Sequence, residues 1–421
     1  MPHSFAKDSS IKASDCEFPN SFGPLLFLIW AGTVVRCLLI TLPFERTYDA
    51  VEHVNYLLLL QNKWFVFSSE CFQCYHPPLY YWLCKGFLFF QFQPDSVMHL
   101  KPIQALSAAY YAAFVYFGNK SLTATVSPQW LFEARLIFLA VPMGFVHAIR
   151  IGNDSLYYAL AAIVTYHLYK WSFRPCGPRQ ILAATFFAGV AVLVKGNAII
   201  FFSVIGTLLA IHSFKCCTRY LLPCALVFSA SVGTYVSLSL LKGGALTNSA
   251  GLGVGMRVSN AVKHFTLIDI TALLSYPTQN EQILIRWKEN FWTHLISTAV
   301  GGEFFFSSIL ASFLIPIMLA IVLIWLVIIT FGLLSLLKNE PDLVSTTLFV
   351  ASIAALVAHR LMLPFWCSGD FRYIWPVIIP LTVLLMRGTE CLTTKYKAVT
   401  CGVRATFYIF SICGFITVWS L

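Results

Sequence analysis

Apolar runs of roughly 17 to 25 residues, broken by charge or by Gly and Pro, recur along most of this 421-residue chain. No other feature constrains the fold as much. A run of that length crosses bilayer hydrocarbon as a helix, because each backbone N–H and C=O must find its partner inside the segment. The expected fold class is an all-α polytopic membrane protein, with the lipid bilayer as its solvent. Composition agrees: 58% of residues are hydrophobic, 11% are charged and mean hydropathy is +0.75, a balance that no soluble domain of this size keeps out of aggregation.

Spans are expected near residues 23–43, 102–118, 132–149, 155–171, 180–195, 197–213, 220–241, 312–337, 345–363, 374–387 and 402–420, about eleven crossings in all. Residues 1–22 form a polar tail carrying Lys7 and Lys12 beside Asp8, Asp15 and Glu17, without the short apolar stretch and small-residue site of a cleaved signal peptide. Residues 23–421 are then a single transmembrane domain whose first span anchors itself. Lys120, Lys170, Arg179, Lys215, Arg387 and Lys395 fall in short loops after even-numbered crossings, so the positive-inside rule places the N-terminus in the cytoplasm. By the same parity the two long loops, 44–101 and 242–311, face outside. So do the short segments that hold Asn153-Asp154, Lys195 and Asp370-Phe371-Arg372. The formal charge of +10 is scattered between spans rather than gathered on one soluble face, which excludes nucleic acid and favours anionic headgroups or a phosphate substrate. No Walker motif, G-x-G-x-x-G or internal repeat points to nucleotide-driven chemistry.

The first outer loop concentrates polar residues. A helix over 49–62 would set Asp49, Glu52, His53 and Tyr56 on one face, at i, i+3, i+4 and i+7. Pro77-Pro78 suits the start of a second helix, and Leu79-Tyr80-Tyr81-Trp82-Leu83 has the aromatic composition of a segment lying at the membrane interface. The same spacing also fits a plain juxtamembrane helix that Asp49 caps. Cys71 and Cys74 form a C-x-x-C with three readings: a disulfide on the oxidising side, half of a metal site, or coincidence. No second C-x-x-C completes a zinc set, and the outer-loop position favours the disulfide. Cys216 and Cys217, beside Lys215 and Arg219 at a membrane edge, are either a palmitoylation site or two idle thiols.

Several stretches taken in order resemble the GT-C membrane glycosyltransferases, including protein O-mannosyltransferases and bacterial aminoarabinose transferases. They are the D-x-x-E-H of Asp49 to His53, Pro77-Pro78 with its aromatic segment, Gly152-Asn153-Asp154-Ser155-Leu156, Val194-Lys195-Gly196, and Phe371-Arg372-Tyr373-Ile374-Trp375-Pro376. The resemblance implies a bundle of membrane helices, two interfacial helices in the first loop, and a cavity at the outer leaflet that holds a polyprenyl-phosphate-linked sugar. It also implies that Asp49 is the catalytic base. The chain departs from its relatives in two places. Ala50 follows Asp49 where many of them have Asp-Glu, leaving Glu52 as the second carboxylate, and Tyr75-His76 replaces the Glu-Lys that precedes Pro-Pro in aminoarabinose transferases.

Sugar transfer from a lipid phosphate needs a base for the acceptor's proton and cations for the departing phosphate. Asp49 and Glu52 are the carboxylates for the first role. Arg372, Lys195, Arg257 and Lys263 are the cations for the second, led by Arg372 because guanidinium grips phosphate bidentately. An Arg at a span boundary also snorkels to headgroups without further purpose. His53, His76, Tyr80, Asn153, Asp154 and Trp292 are the expected cavity residues, though the histidines equally suit structural hydrogen bonds and Asn153-Asp154 a helix cap. Gly243, Gly244, Gly251, Gly253 and Gly255 precede Arg286-Trp287-Lys288-Glu289-Asn290-Phe291-Trp292, a loop fit either to order over bound substrate or to anchor at the interface. No cofactor is assigned, and a divalent metal is compatible with the sequence but not required by it. The expected function is transfer of a sugar from a polyprenyl-phosphate donor to a protein, lipid or glycan acceptor, in the endoplasmic reticulum or a bacterial inner membrane. A secondary transporter or flippase is the alternative, opposed by the gathering of polar groups on one face and by the lack of an inverted repeat.

Overall fold

The computed structural model describes residues 22–40, 49–88, 100–173, 178–212, 218–243, 257–276, 281–302, 308–335 and 340–420. The N-terminal tail, Cys216, Cys217 and the glycines at 244, 251, 253 and 255 lie outside the described residues. The helices are α1 (Phe22–Ile40), α2 (Ala50–Gln61), α3 (Leu79–Leu88), α4 (Lys101–Thr125), α5 (Leu131–Ala140) and α6 (Pro142–Ile149). They continue as α7 (Asp154–Ser172), α8 (Pro178–Val194), α9 (Ile199–His212), α10 (Thr218–Leu241), α11 (Lys263–Thr266) and α12 (Ile270–Leu274). The last are α13 (Glu281–Glu289), α14 (Phe291–Val300), α15 (Ile309–Ser335), α16 (Glu340–Met362), α17 (Ile378–Lys395) and α18 (Val399–Trp419). No strand occurs among the described residues, only an isolated antiparallel bridge between Arg257 and Phe365.

A helix occupies each interval where a span was expected. Five helices among the described residues are long and apolar enough to cross a membrane, or up to six if one bent pair is counted as a span. Gly23–Leu39, Arg179–Val194 and Gly196–Ile211 are shorter apolar helices. The interval 132–149 is broken rather than continuous: α5 and α6 meet at 55° around Val141, whose backbone is extended. Pro142 explains the break, since its ring removes a donor and pushes the preceding residue out of the helical region.

Helix α7 is buried along almost its whole length, packed between α4 and α8, while α15 lies against α17 and α18. Backbones touch where side chains vanish. A Cβ on Gly388 would stand 2.0 Å from the Ile328 carbonyl oxygen, and one on Gly414 2.0 Å from that of Ala140. Small residues at helix crossings permit this approach in lipid, where van der Waals contact drives association.

The first long loop contains two helices, α2 and α3, and Cys71 and Cys74 between them are disulfide-bonded with Cα atoms 5.0 Å apart. Buried Arg360 at the end of α16 donates to the carbonyl oxygens of Phe365 and of Glu289 in the second long loop, each at 3.1 Å. That cation ties α13 to the entry of the segment that carries Asp370 and Arg372.

Candidate active site

Asp49 stands immediately before α2 rather than inside it, with φ 59°, the one positive φ of any non-glycine among the described residues. Asp is among the few residue types that tolerate this left-handed region, and such strain collects at functional positions. The side chain makes no cap hydrogen bond to α2, which corrects the capping reading. Its carboxylate turns to two guanidiniums, with Oδ2 3.2 Å from Arg372 Nη1 and 3.5 Å from Arg150 Nη2.

Three chain segments converge to hold these charges. Arg150, just after α6, lies 3.5 Å from Asp154 Oδ2, and Asp154 Oδ1 pairs with Lys195 Nζ. The role expected of Asn153 as a helix cap is not what it performs, since no side-chain cap bond forms and its Nδ2 donates to the Val194 carbonyl at 3.0 Å. That bond fastens the start of α7 to the end of α8, bringing Lys195 beside Asp154. Arg372 lies in a 3₁₀ turn, Phe371–Val377, that leads into α17. Asp370 caps the turn by accepting from the Arg372 N–H at 2.9 Å, and its other oxygen sits 3.2 Å from Arg372 Nε. Tyr158 on α7 donates to the Arg372 carbonyl at 2.8 Å. Buried charge is tolerable only when paired, and here every cation has a carboxylate.

Asp49, His76, Lys195 and Arg372 line the polar end of a cavity of about 850 Å³. The rest of its wall is mostly apolar. Ala351, Ala354, Ala355 and Ala358 on α16 hollow one side, Ile199 and Ile200 on α9 face it, and Pro376 and Pro380 lie toward α17. From Leu348 to His359, both lining residues of α16, the groove extends about 16 Å at the usual helical rise, roughly half the hydrocarbon thickness of a bilayer. A small charged head with a long apolar tail fits this shape.

The remaining expected residues divide into two groups. His53, Tyr80, Asn153 and Asp154 are outside the cavity wall itself, the last two held in the ion-pair cluster beside it. His53 Nδ1 is 2.7 Å from Tyr81 Oη, its ring stacks on His76 at 5.7 Å, and Tyr80 Oη accepts from the Gly152 N–H at 3.1 Å. Burial, aided by Arg150, pushes His53 down to about 3, and burial together with His53 holds His76 well below its ordinary 6.5, so both rings are neutral at physiological pH. Lys242, just past α10, donates to the Tyr56 hydroxyl and the His76 carbonyl, each at 2.6 Å, and burial lowers it to about 7. Glu52, Arg257, Lys263 and Trp292 are not part of the cavity wall. Arg257 and Lys263 are exposed, and Trp292 Nε1 donates to the Phe265 carbonyl at 2.6 Å within the second loop. Arg150 and His359 are the site residues that sequence reading missed, and Asp370 was read only as part of the polar segment it shares with Arg372. Only the spacing of Arg150 four residues before Asp154 offered a signal. Among the described residues no three His, Cys, Asp or Glu side chains gather as a metal site.

No protein-family model matches the chain, and no curated protein matches it in sequence. Its fold is similar to that of ArnT from Cupriavidus metallidurans bound to undecaprenyl phosphate, with TM-score 0.54, 12% identity, and coverage of 94% of this chain and 76% of that one. The fold is GT-C. The apo oligosaccharyltransferase of Archaeoglobus fulgidus is also similar, with TM-score 0.49 and 13% identity, and is the longer chain, 56% covered against 95% of this one.

Proposed function

We propose that this chain is a multi-pass membrane glycosyltransferase that moves a sugar from a polyprenyl-phosphate carrier to an acceptor on the extracytoplasmic side. One observation carries the reading: a carboxylate and a guanidinium 3.2 Å apart at the polar end of an apolar-walled cavity. The GT-C fold, shared with a protein bound to undecaprenyl phosphate, supports it. The chain crosses the membrane about eleven times with its N-terminus in the cytoplasm, which puts α2, α3 and the ion-pair cluster at the outer leaflet. A glycan on Asn119 of a version made in a secretory membrane would invert that topology.

In this reading the lipid phosphate enters with its polyprenyl tail along α16 and takes Arg372 and Lys195 as its cations. Arg372 keeps Asp370 as a partner, so it can turn its outer nitrogens to phosphate without being left free. Asp49, released from Arg372, accepts the acceptor's proton as the acceptor oxygen attacks the anomeric carbon. The C–O bond to phosphate breaks, its electron pair stays on the phosphate oxygen, and the leaving group gains one negative charge as Asp49 loses one. Total charge in the buried cluster is therefore unchanged through the reaction, which avoids a solvation penalty in a site with little water.

Mass spectrometry of lipid co-purifying with the full chain tests the donor class, paired with transfer assays on the same preparation. A polyprenyl-phosphate sugar, bound and consumed, is the expected result. A preparation that binds the polyprenyl-phosphate sugar but transfers none of it would leave the flippase or transporter reading the better one, and one that binds no polyprenyl phosphate would remove the donor class.

A further inference from the structure

Between the two helices of the first loop, the disulfide closes Cys71-Phe72-Gln73-Cys74 into a tight turn in which Cys74 N–H donates to the Cys71 carbonyl at 3.1 Å. Cys74 is fully buried, so the turn is pinned to the protein, and the Gln73 carbonyl continues it by accepting from the His76 N–H at 3.1 Å. Both Phe72 and Gln73 line the cavity. Gln73 is 3% exposed, yet its side-chain Oε1 has no hydrogen-bond partner among the described residues. A buried amide oxygen without a donor is costly to the free protein, and the folds that keep one commonly reserve it for a ligand.

The surroundings fix what kind of donor it awaits. His76 and Tyr75, which follow in the chain and share the cavity, are both uncharged at neutral pH: burial and His53 hold the imidazole neutral, and burial pushes the phenol up. The carboxylate in the wall, Asp49, pairs with Arg372 and Arg150 in the free protein and is the base of the proposed reaction. Among the described lining residues Asp49 is the carboxylate and Lys195 and Arg372 are the cations, and in the proposed mechanism the donor phosphate takes both cations, which leaves no charged partner for a charged sugar there. We infer that the disulfide-closed turn is the sugar-reading wall of the cavity, with Gln73 Oε1 the specificity-determining acceptor for a hydroxyl of an uncharged sugar on the lipid donor. This rests on the proposed donor class and names the residue and the sugar chemistry within it. A hydroxyl of the acceptor substrate offers the same chemistry, so the test is run without acceptor.

The experiment measures equilibrium binding of three probes to the full chain in lipid nanodiscs: bare polyprenyl phosphate, polyprenyl-phosphate mannose and polyprenyl-phosphate aminoarabinose. Wild type is expected to prefer the mannose lipid over the bare one, and Gln73→Leu to lose roughly three- to tenfold in affinity for the mannose lipid alone, the scale of one neutral hydrogen bond. Its melting temperature without ligand should equal or exceed that of wild type, since the substitution removes an unsatisfied polar atom, and a purely structural role would lower it. Gln73→Glu, which keeps an acceptor but adds charge, should move preference toward the aminoarabinose lipid. Equal weakening for the bare and mannose lipids, no change for the mannose lipid, a lowered melting temperature, or a wild-type preference for the cationic sugar would each overturn the assignment while leaving the donor class intact. Failure of wild type to bind bare polyprenyl phosphate would instead remove the proposed function, and this inference with it.

Discussion

Replacing Asp49 with Asn separates chemistry from architecture more cleanly at this position than at most catalytic carboxylates. Both cations that Asp49 contacts keep another carboxylate, Arg372 keeping Asp370 at 3.2 Å and Arg150 keeping Asp154 at 3.5 Å. Neither is left uncompensated, so the cost falls well short of the roughly 3–5 kcal/mol of a broken buried pair and nearer the ~1 kcal/mol of one exchanged hydrogen bond. Asn also tolerates φ 59°, whereas Asp49→Ala adds about 1–2 kcal/mol of left-handed strain. The melting temperature should therefore rank wild type, then Asn close behind, then Ala. Turnover should fall about 10²–10⁴-fold in both variants, a barrier increase of roughly 3–5 kcal/mol from the missing base. Affinity for bare polyprenyl phosphate should hold or tighten in Asp49→Asn, because Arg372 no longer has that carboxylate competing for it. The assay follows sugar transfer in single turnover with purified variants and one donor lipid, alongside thermal unfolding. An Asp49→Asn protein that melts like wild type and turns over within tenfold of it would refute the assignment of the base.

Arg372→Lys keeps the charge but loses the planar fork, and donor-lipid affinity should fall about tenfold or more in a binding isotherm; unchanged affinity would make Arg372 a structural partner of Asp370 only. Gly388→Ala drives a methyl against the Ile328 carbonyl and should cost about 1–3 kcal/mol or more, seen as a lower melting temperature. Gly402→Ala, with nothing within 4 Å, is the control expected to be neutral or slightly stabilising. Lys242 is lowered from 10.5 to about 7, so the unfolded chain binds the extra proton between those values. Its destabilisation is present in full below about pH 7 and is relieved as pH rises toward 10, and Lys242→Met should flatten that part of the stability–pH curve measured by thermal unfolding.

The helices were legible because lipid imposes one rule on the backbone: the apolar run from Leu343 to Met362 reads as a helix whatever it packs against. The α5–α6 break was not read, although Pro142 was in plain view, because apolar residues run through it on both sides. Asp49 and Arg372 were found because the first loop and the late segment each carry a compact polar pattern. Arg150 was missed because its meaning lies in pairing with Asp49 across 101 residues, a tertiary fact that no periodicity encodes, whereas Asp370, two residues from Arg372, was in view and only its local capping role went unread. Arg257, Lys263 and Trp292 were chosen for charge and aromaticity alone, and the second loop folds so that these face solvent or their own loop. Gln73 carries no signal in sequence at all. Its interest comes from being buried in a turn with an oxygen left over.

The ion-pair cluster joins three carboxylates, Asp49, Asp154 and Asp370, to three cations, Arg150, Lys195 and Arg372. Seen from a distance it has no net charge and projects little field, so it does not draw inorganic phosphate or nucleotides out of bulk water. In the proposed mechanism its cation becomes available only at contact range, once an arriving phosphate exchanges places with Asp49. A ligand that reaches that range must come by another route, and the apolar groove along α16 supplies one, by diffusion within the membrane. On that proposal the cluster screens by mode of arrival: an anion tethered to a lipid tail is delivered to the guanidinium, and the same anion free in solution is not.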